Sequence, residues 1–270
     1  MAKSLDIGEL LAHLPTFSSL DRAWRTVLAD SARSRRLAKH EYLFRRGDTA
    51  DGLYVVVVGH IKIAIPSVHP EQEKVVEFFG PGQTFGEAVM LLGHPYLIDA
   101  QALDDCMVIW IDRRDIERVI DQDSSFARRM LSGLAQRFEM LLHDIETVSL
   151  HTADERVAGY LLRQPRDGSQ ATLMFNKRVI ASKLGLKPET LSRSLQHLSQ
   201  ERLISVSGAR VQILDQEALQ RLVPDVPRRL SSPAPASPED ELRARAMAVK
   251  TGALRSEDAA GVRYKRVALY

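Results

Sequence analysis

The chain has 270 residues, 44% of them hydrophobic and 27% charged, with a formal net charge of +2. These ordinary globular values exclude collagen-like, disulfide-scaffold and wholly disordered classes, and the length suggests two domains and a tail. A single cysteine, Cys106, excludes an internal disulfide, an iron–sulfur cluster and a thiolate zinc site. No run approaches the ~18 apolar residues of a membrane span. Asp6 and Glu9 interrupt the first residues where a signal peptide needs an apolar stretch, so a reducing cytoplasm without membrane attachment is expected.

Short helices are expected at Ile7 to His13 and Asp21 to Ala29. From about Arg36 to Trp110 the pattern has period two: YVVVV, HIKIAI, KVVEFF and CMVIWI are rich in β-branched and aromatic residues. Gly and Pro punctuate it at short intervals, as in Gly80-Pro81-Gly82 and Gly93-His94-Pro95, which is the sign of an antiparallel sandwich or barrel. Beyond Ile111 the period becomes helical. Between about Ser124 and Leu150, Leu131, Leu134, Phe138, Leu141, Ile145 and Val148 recur at alternating steps of three and four, the seam of a dimerising helix. Arg128, Arg129, Arg137, Glu139, Asp144 and Glu146 keep the remaining faces polar.

An amphipathic helix over Asp154 to Arg163 and a Pro165–Gly168 turn precede the stretch RVIASKLGLKPETLSR. Gly185 permits a sharp turn and Pro188 presets the first turn of a new helix, so two helices are expected at about Lys177–Leu184 and Pro188–Glu201, with Ala181 allowing close packing. Leu191, Leu195 and Leu198 share one side of the second helix; Glu189, Ser192, Arg193 and Gln196 share the other. Those four side chains have the donors and acceptors that read base edges, and Lys177, Arg178, Lys183, Lys187 and Arg202 supply attraction for phosphates. A hairpin, LISV-SGAR-VQIL, follows as a wing with Arg210 at its turn. The domains are expected at 1–123, 124–150, 151–223 and a disordered, Pro- and Ser-rich tail at 224–270 with a short helix near Glu239 to Val249.

The fold class is thus α+β: an N-terminal antiparallel β-sandwich or jelly roll, a long dimerisation helix and a C-terminal winged helix-turn-helix. That order, with FGEAVML, DAQAL and GLKPETLSR, resembles the cyclic-AMP receptor and fumarate–nitrate reduction regulator family of transcription factors over about residues 7–222. EAVML, HDIETVSL and KPETLSRSLQHL are most similar to the branch that responds to nitric oxide. The resemblance implies a homodimer on double-stranded DNA, with RNA polymerase as a partner and no enzymatic activity. It implies that Glu189, Ser192 and Arg193 read a TTGAT-type half-site of a palindrome and that Thr190 meets a phosphate. Lys187 stands where a capping Ser or Thr is common; a helix without that cap, and a lysine that meets phosphate instead, are expected.

Gly82 to Leu103 is similar to the family's phosphate-binding cassette, including Gly86 and Glu87. Where cyclic-nucleotide binders have Arg followed by Ser or Thr, this chain has Leu97, Ile98 and Asp99, which argues against cyclic AMP because a buried cyclic phosphate needs a cationic partner. Cys106 is expected to be a small core residue. The cofactor is left open between heme, with His13, His60 and His94 as candidate ligands, and an unliganded or protein-regulated form, while His143, His151 and His197 are expected on solvated helix faces. The alternatives are a small-molecule-binding module acting through protein contacts, a cyclic-nucleotide-responsive regulator, or a cupin-like enzyme, for which no metal-binding His motif, nucleophile elbow or phosphate loop is present.

Overall fold

The structure is a computed structural model that describes residues 6–68, 73–164, 166–167 and 170–223. The tail and the helix expected within it lie outside the described residues, as do parts of the Pro165–Gly168 turn. The chain forms two compact units. Among described residues, the first holds the segments up to Ile65 and from Glu77 to Leu134; the second holds Pro66–Val76 and the chain from Ala135. The division therefore falls inside the long helix, and a short segment that runs into the first residues of one strand belongs to the second unit.

In the first unit, helices α1 (Ile7–Ala12) and α2 (Arg22–Ser31) are each started by an aspartate: Asp6 accepts from the Glu9 N–H, and Asp21 from the Trp24 N–H. Eight strands follow: β1 (Arg33–Leu37), β2 (Tyr42–Phe44), β3 (Gly52–Val58), β4 (Ile61–Ile65), β5 (Lys74–Phe79), β6 (Thr84–Phe85), β7 (Asp99–Ala102) and β8 (Cys106–Asp112). Helix α3 (Glu87–Leu92) interrupts them. They make two four-stranded sheets, ordered β1-β8-β3-β6 and β2-β7-β4-β5, whose registered pairs are antiparallel.

Strand β3 explains why YVVVV is an apolar run and not a clean alternation. Leu53, Val55 and Val57 enter a core shared with α1, α2 and helix α4 (Arg113–Gln122), while Val56 enters the core between the two sheets. Both faces are covered, so both parities are apolar. Strand β8 follows the same rule, with Met107, Ile109 and Ile111 on one side and Cys106 and Val108 on the other.

Helix α5 spans Ser124–Leu150. In the second unit it is followed by α6 (Ala153–Arg163), opened by a capping box in which Thr152 and Glu155 satisfy each other's backbone N–H groups. The short strands β9 (Arg166–Asp167) and β10 (Gln170–Thr172) then lead to α7 (Lys177–Leu184), α8 (Pro188–Gln200) and the hairpin β11 (Ile204–Ser207) and β12 (Arg210–Ile213). The four strands form one antiparallel sheet, β11-β12-β10-β9. A helix that the sequence pattern did not reveal, α9 (Gln216–Leu222), closes the unit and buries Leu219. Among the described residues no helix is long and apolar enough to cross a membrane.

Candidate nucleic-acid interface

Helix α7 begins at Asn176, whose side chain accepts from the Val179 N–H at 2.9 Å, and it ends at Gly185 in the left-handed region with φ +65°. Val179, Ile180, Ala181 and Leu184 are buried. Helix α8 begins at Pro188, with Lys187 at the N-cap position and no side-chain cap, as expected. Proline at the first position removes one N–H that would otherwise need a partner, which softens that omission.

Leu191, Leu195 and Leu198 of α8 are buried in one core with Val157, Leu161 and Ile180. On the opposite side Glu189, Ser192, Arg193 and Gln196 are all exposed, as is Lys187, and Thr190 is half-buried at the edge. Arg178 at the start of α7 and Arg210 at the start of β12 are exposed as well. One surface therefore combines a guanidinium, a carboxylate, a hydroxyl and an amide on a rigid helix, with cations in the same unit. At the far end of α8, His197 Nδ1 lies 2.7 Å from Asp154 Oδ2, tying α8 to α6.

Three residues differ from the sequence expectation. Lys183 is not a phosphate-facing cation here: its side chain is 14% exposed and 2.7 Å from the Asp144 carboxylate. His143 is not on a solvated face: it is 7% exposed, with Nε2 3.5 Å from the Thr147 hydroxyl and 3.4 Å from the Arg163 guanidinium. Val148 is half-buried and meets the helix-turn-helix: a Cβ on Gly185 would stand 3.2 and 3.3 Å from its methyl carbons. The rest of the predicted seam faces outward. Leu131, Phe138 and Ile145 are 62–65% exposed, Leu141 is 41%, Leu134 is half-buried, and Leu142, absent from the expected set, joins them at 50%. Apolar side chains exposed in a row along one helix mark an interaction surface.

Arg156 was not foreseen. From α6 its guanidinium donates to the carbonyls of Val148 and His151 at the end of α5 and of Leu184 at the end of α7. A cation shared by two helix C-termini complements both dipoles. In sequence it reads as one more charge on an amphipathic helix, and only the convergence of three elements reveals its role.

In the first unit the cassette residues are separated by burial. Gly86 has φ +91° and precedes Glu87, which is buried; Leu97 is 62% exposed, Ile98 is half-buried, and Asp99 Oδ1 accepts from the Arg46 N–H at 2.8 Å. The space between the sheets is packed with aromatic rings. Phe44 and Tyr96 stack with centroids 3.6 Å apart, and Tyr54, Phe79 and Phe85 surround them. Burial pushes the Tyr96 phenol well above its ordinary range.

The candidate heme ligands differ in their surroundings. His60 is 3% exposed, and its Nδ1 lies 2.8 Å from the Asp104 carboxylate, whereas His13 and His94 are exposed. Burial alone would raise the Asp104 pKa, but hydrogen bonds from His60 outweigh it and hold the carboxyl low. The Cys106 thiol is buried and donates to the His60 carbonyl; burial and the neighbouring Asp104 push its pKa up, so it is kept protonated as a core residue. Among the described residues no group of three or more His, Cys, Asp or Glu side chains is arranged to hold a metal ion.

A two-sheet sandwich, a long helix with an exposed apolar row, and a winged helix-turn-helix with a polar outer face define a DNA-binding transcription regulator. Residues 34–123 match the cyclic nucleotide-binding domain and residues 155–222 the Crp-like helix-turn-helix domain. The chain belongs to the Crp/Fnr family. It is 30% identical over 191 residues to the transcriptional activator protein Anr of Pseudomonas protegens, spanning 68% of this chain and 77% of that protein. It is 28% identical over 194 residues to the HTH-type transcriptional regulator Cmr of Mycobacterium tuberculosis, spanning 72% and 78%. FixK2 from Bradyrhizobium japonicum shares the fold with a TM-score of 0.65 at 24% identity, over 72% of this chain and 98% of that one. Regulators of this family bind DNA and act as dimers, and they are not enzymes.

Proposed function

We propose that two copies of the chain pair along α5 and insert their α8 helices into the major groove at two inverted half-sites of the TTGAT type. The observation that carries this reading is the exposure of Glu189, Ser192, Arg193 and Gln196 together, opposite the buried Leu191, Leu195 and Leu198. Arg193 donates two parallel hydrogen bonds to guanine O6 and N7, Glu189 accepts from cytosine N4, and Ser192 and Gln196 adapt to neighbouring edges. Thr190, Lys187 and Arg178 meet phosphates, and Arg210 meets the backbone beside the wing. Two-fold symmetry then requires half-sites about 34 Å apart. On DNA, RNA polymerase is the partner through which such a dimer acts.

Binding of labelled duplexes checks the division between reading and positioning. Arg193→Ala is expected to cost about 1–3 kcal/mol on the cognate duplex and to relax preference at one guanine. Lys187→Ala is expected to weaken every sequence alike and to reduce the salt dependence by about one phosphate contact. Equal losses for both variants on cognate and random duplex would contradict the assignment and favour a module that acts through protein contacts.

We infer that the first unit, in the cytoplasm, answers to a signal other than a cyclic nucleotide. The outward-facing Leu97 and the Asp99 carboxylate give a cyclic phosphate no cationic partner, and the aromatic packing leaves little room for a base. A nitric oxide response through heme has less support, since His60 is buried in the strand region and His13 and His94 lie exposed at the surface. Titrating the DNA-bound protein with cyclic AMP is expected to leave affinity unchanged, and a Soret band on heme addition that shifts with nitric oxide would revive the heme reading.

A further inference from the structure

The segment just before and within the start of β5 lies against α7, and the bonds between them run both ways. The Ser182 hydroxyl donates to the Glu73 carbonyl and accepts from the Val75 N–H at 2.9 Å, pairing with this extended backbone as a neighbouring strand would. Lys183 Nζ donates to the Val76 carbonyl and, at 2.7 Å, to Asp144 on α5. In return, Lys74 Nζ donates to the carbonyls of Ser182 at 3.0 Å and Lys183 at 2.8 Å, in the last turn of α7. Burial, and next the nearby Lys183 cation, lower the Lys74 pKa, while Asp144 opposes that fall. All these residues belong to the second unit.

These bonds do different work from the hydrophobic core. The core holds α7 and α8 to one another and to α6. The Lys183–Asp144 pair joins α7 directly to α5, the helix whose exposed apolar row pairs the two copies. Arg156 reinforces that joint from α6. We propose that Ser182, Lys183 and Lys74 form a clasp with residues 73–76 that fixes the helix-turn-helix relative to α5, and so determines which half-site spacing the dimer accepts. The proposal rests on the reading of the chain as a dimer on an inverted repeat.

Two linked binding events reinforce one another according to the length and stiffness of the connection between them. A stiff joint concentrates the second recognition helix at one separation and starves all others. A loose joint spreads the same helix over many separations, which lowers the best affinity and raises the poor ones relative to it. Ser182, Lys183 and Lys74 act on spacing as positioning residues, and base preference within a half-site stays with α8.

The test measures binding of the full chain to labelled duplexes with two inverted half-sites whose separation changes one base pair at a time, beside a duplex with a single half-site. Ser182→Ala and Lys74→Met are each expected to weaken binding at the preferred separation about tenfold or more and to flatten the spacing profile. Single half-site affinity is expected to stay unchanged. Ser182→Thr and Lys74→Arg, which keep the hydroxyl and the charge, are expected to keep the parent profile. A profile as sharp in Ser182→Ala and Lys74→Met as in the parent chain overturns the clasp, and so does tighter binding at the preferred separation. Lys74→Met lies outside the helix-turn-helix and reads the clasp even if Ser182→Ala perturbs folding of α7. A parent chain with no preference for inverted over scrambled sites removes the dimer–palindrome reading itself, and the clasp falls with it. A parent that shows the preference and loses it with Arg193→Ala isolates the clasp as the only claim in play.

Discussion

Gly185→Val is expected to unfold the DNA-binding part of the second unit well before the first unit and to abolish specific duplex binding. At φ +65° a residue other than glycine costs about 1–2 kcal/mol, and a β-branched one is the least tolerant. The new Cβ would also press on Val148 at 3.2 and 3.3 Å, and overpacking of this kind costs about 1–3 kcal/mol more. Gly208, at φ +63° with nothing within 4 Å, is the control: Gly208→Ala carries the backbone penalty alone. The measurement is direct because both tryptophans, Trp24 and Trp110, lie in the first unit. In urea the helical signal of Gly185→Val should fall at lower denaturant while tryptophan fluorescence keeps its parent midpoint. One coincident transition at the parent midpoint would show that the turn tolerates a side chain.

The second large effect concerns the exposed row on α5. Phe138→Asp combined with Ile145→Asp is expected to leave a monomer at micromolar concentration that binds an inverted repeat no better than a single half-site. Each side chain is 62% exposed in one copy, and full burial of such a residue is worth about 1.5–3 kcal/mol. By symmetry each substitution acts twice, and burying carboxylates without partners adds a desolvation cost. Loss of the second contact removes an avidity factor of about 10²–10⁴. Sedimentation and duplex titration read the two consequences separately. A variant that still sediments as a dimer would move the pairing surface elsewhere.

The helix-turn-helix was legible because its signals are local. Gly185 and Pro188 interrupt an otherwise continuous helical period, and the observed ends, Leu184 and Pro188, fall where those two residues dictate. The two faces of α8 followed from the same arithmetic. The outward-facing apolar row of α5 was partly legible: steps of three and four identify a stripe but not what covers each part of it, so Val148 was grouped with residues that face outward although it meets Gly185. His143, Lys183 and Arg156 were illegible for a different reason. Their partners are the Arg163 side chain, the Val76 carbonyl and Asp144, and helix-terminal carbonyls from two elements, which no window along the chain brings together. In the first unit, alternation located the strands but understated their burial, since helices cover one face of the sheet while the other sheet covers its opposite face.

The stacked Phe44 and Tyr96 rings have a bearing on how any message enters the first unit. An interior already furnished with its own aromatic surface offers a visiting molecule only an exchange of neighbours: each contact it makes there displaces one the protein was already making. Such a guest gains little by dispersion, and must be small, or must draw its affinity from polar groups at the rim.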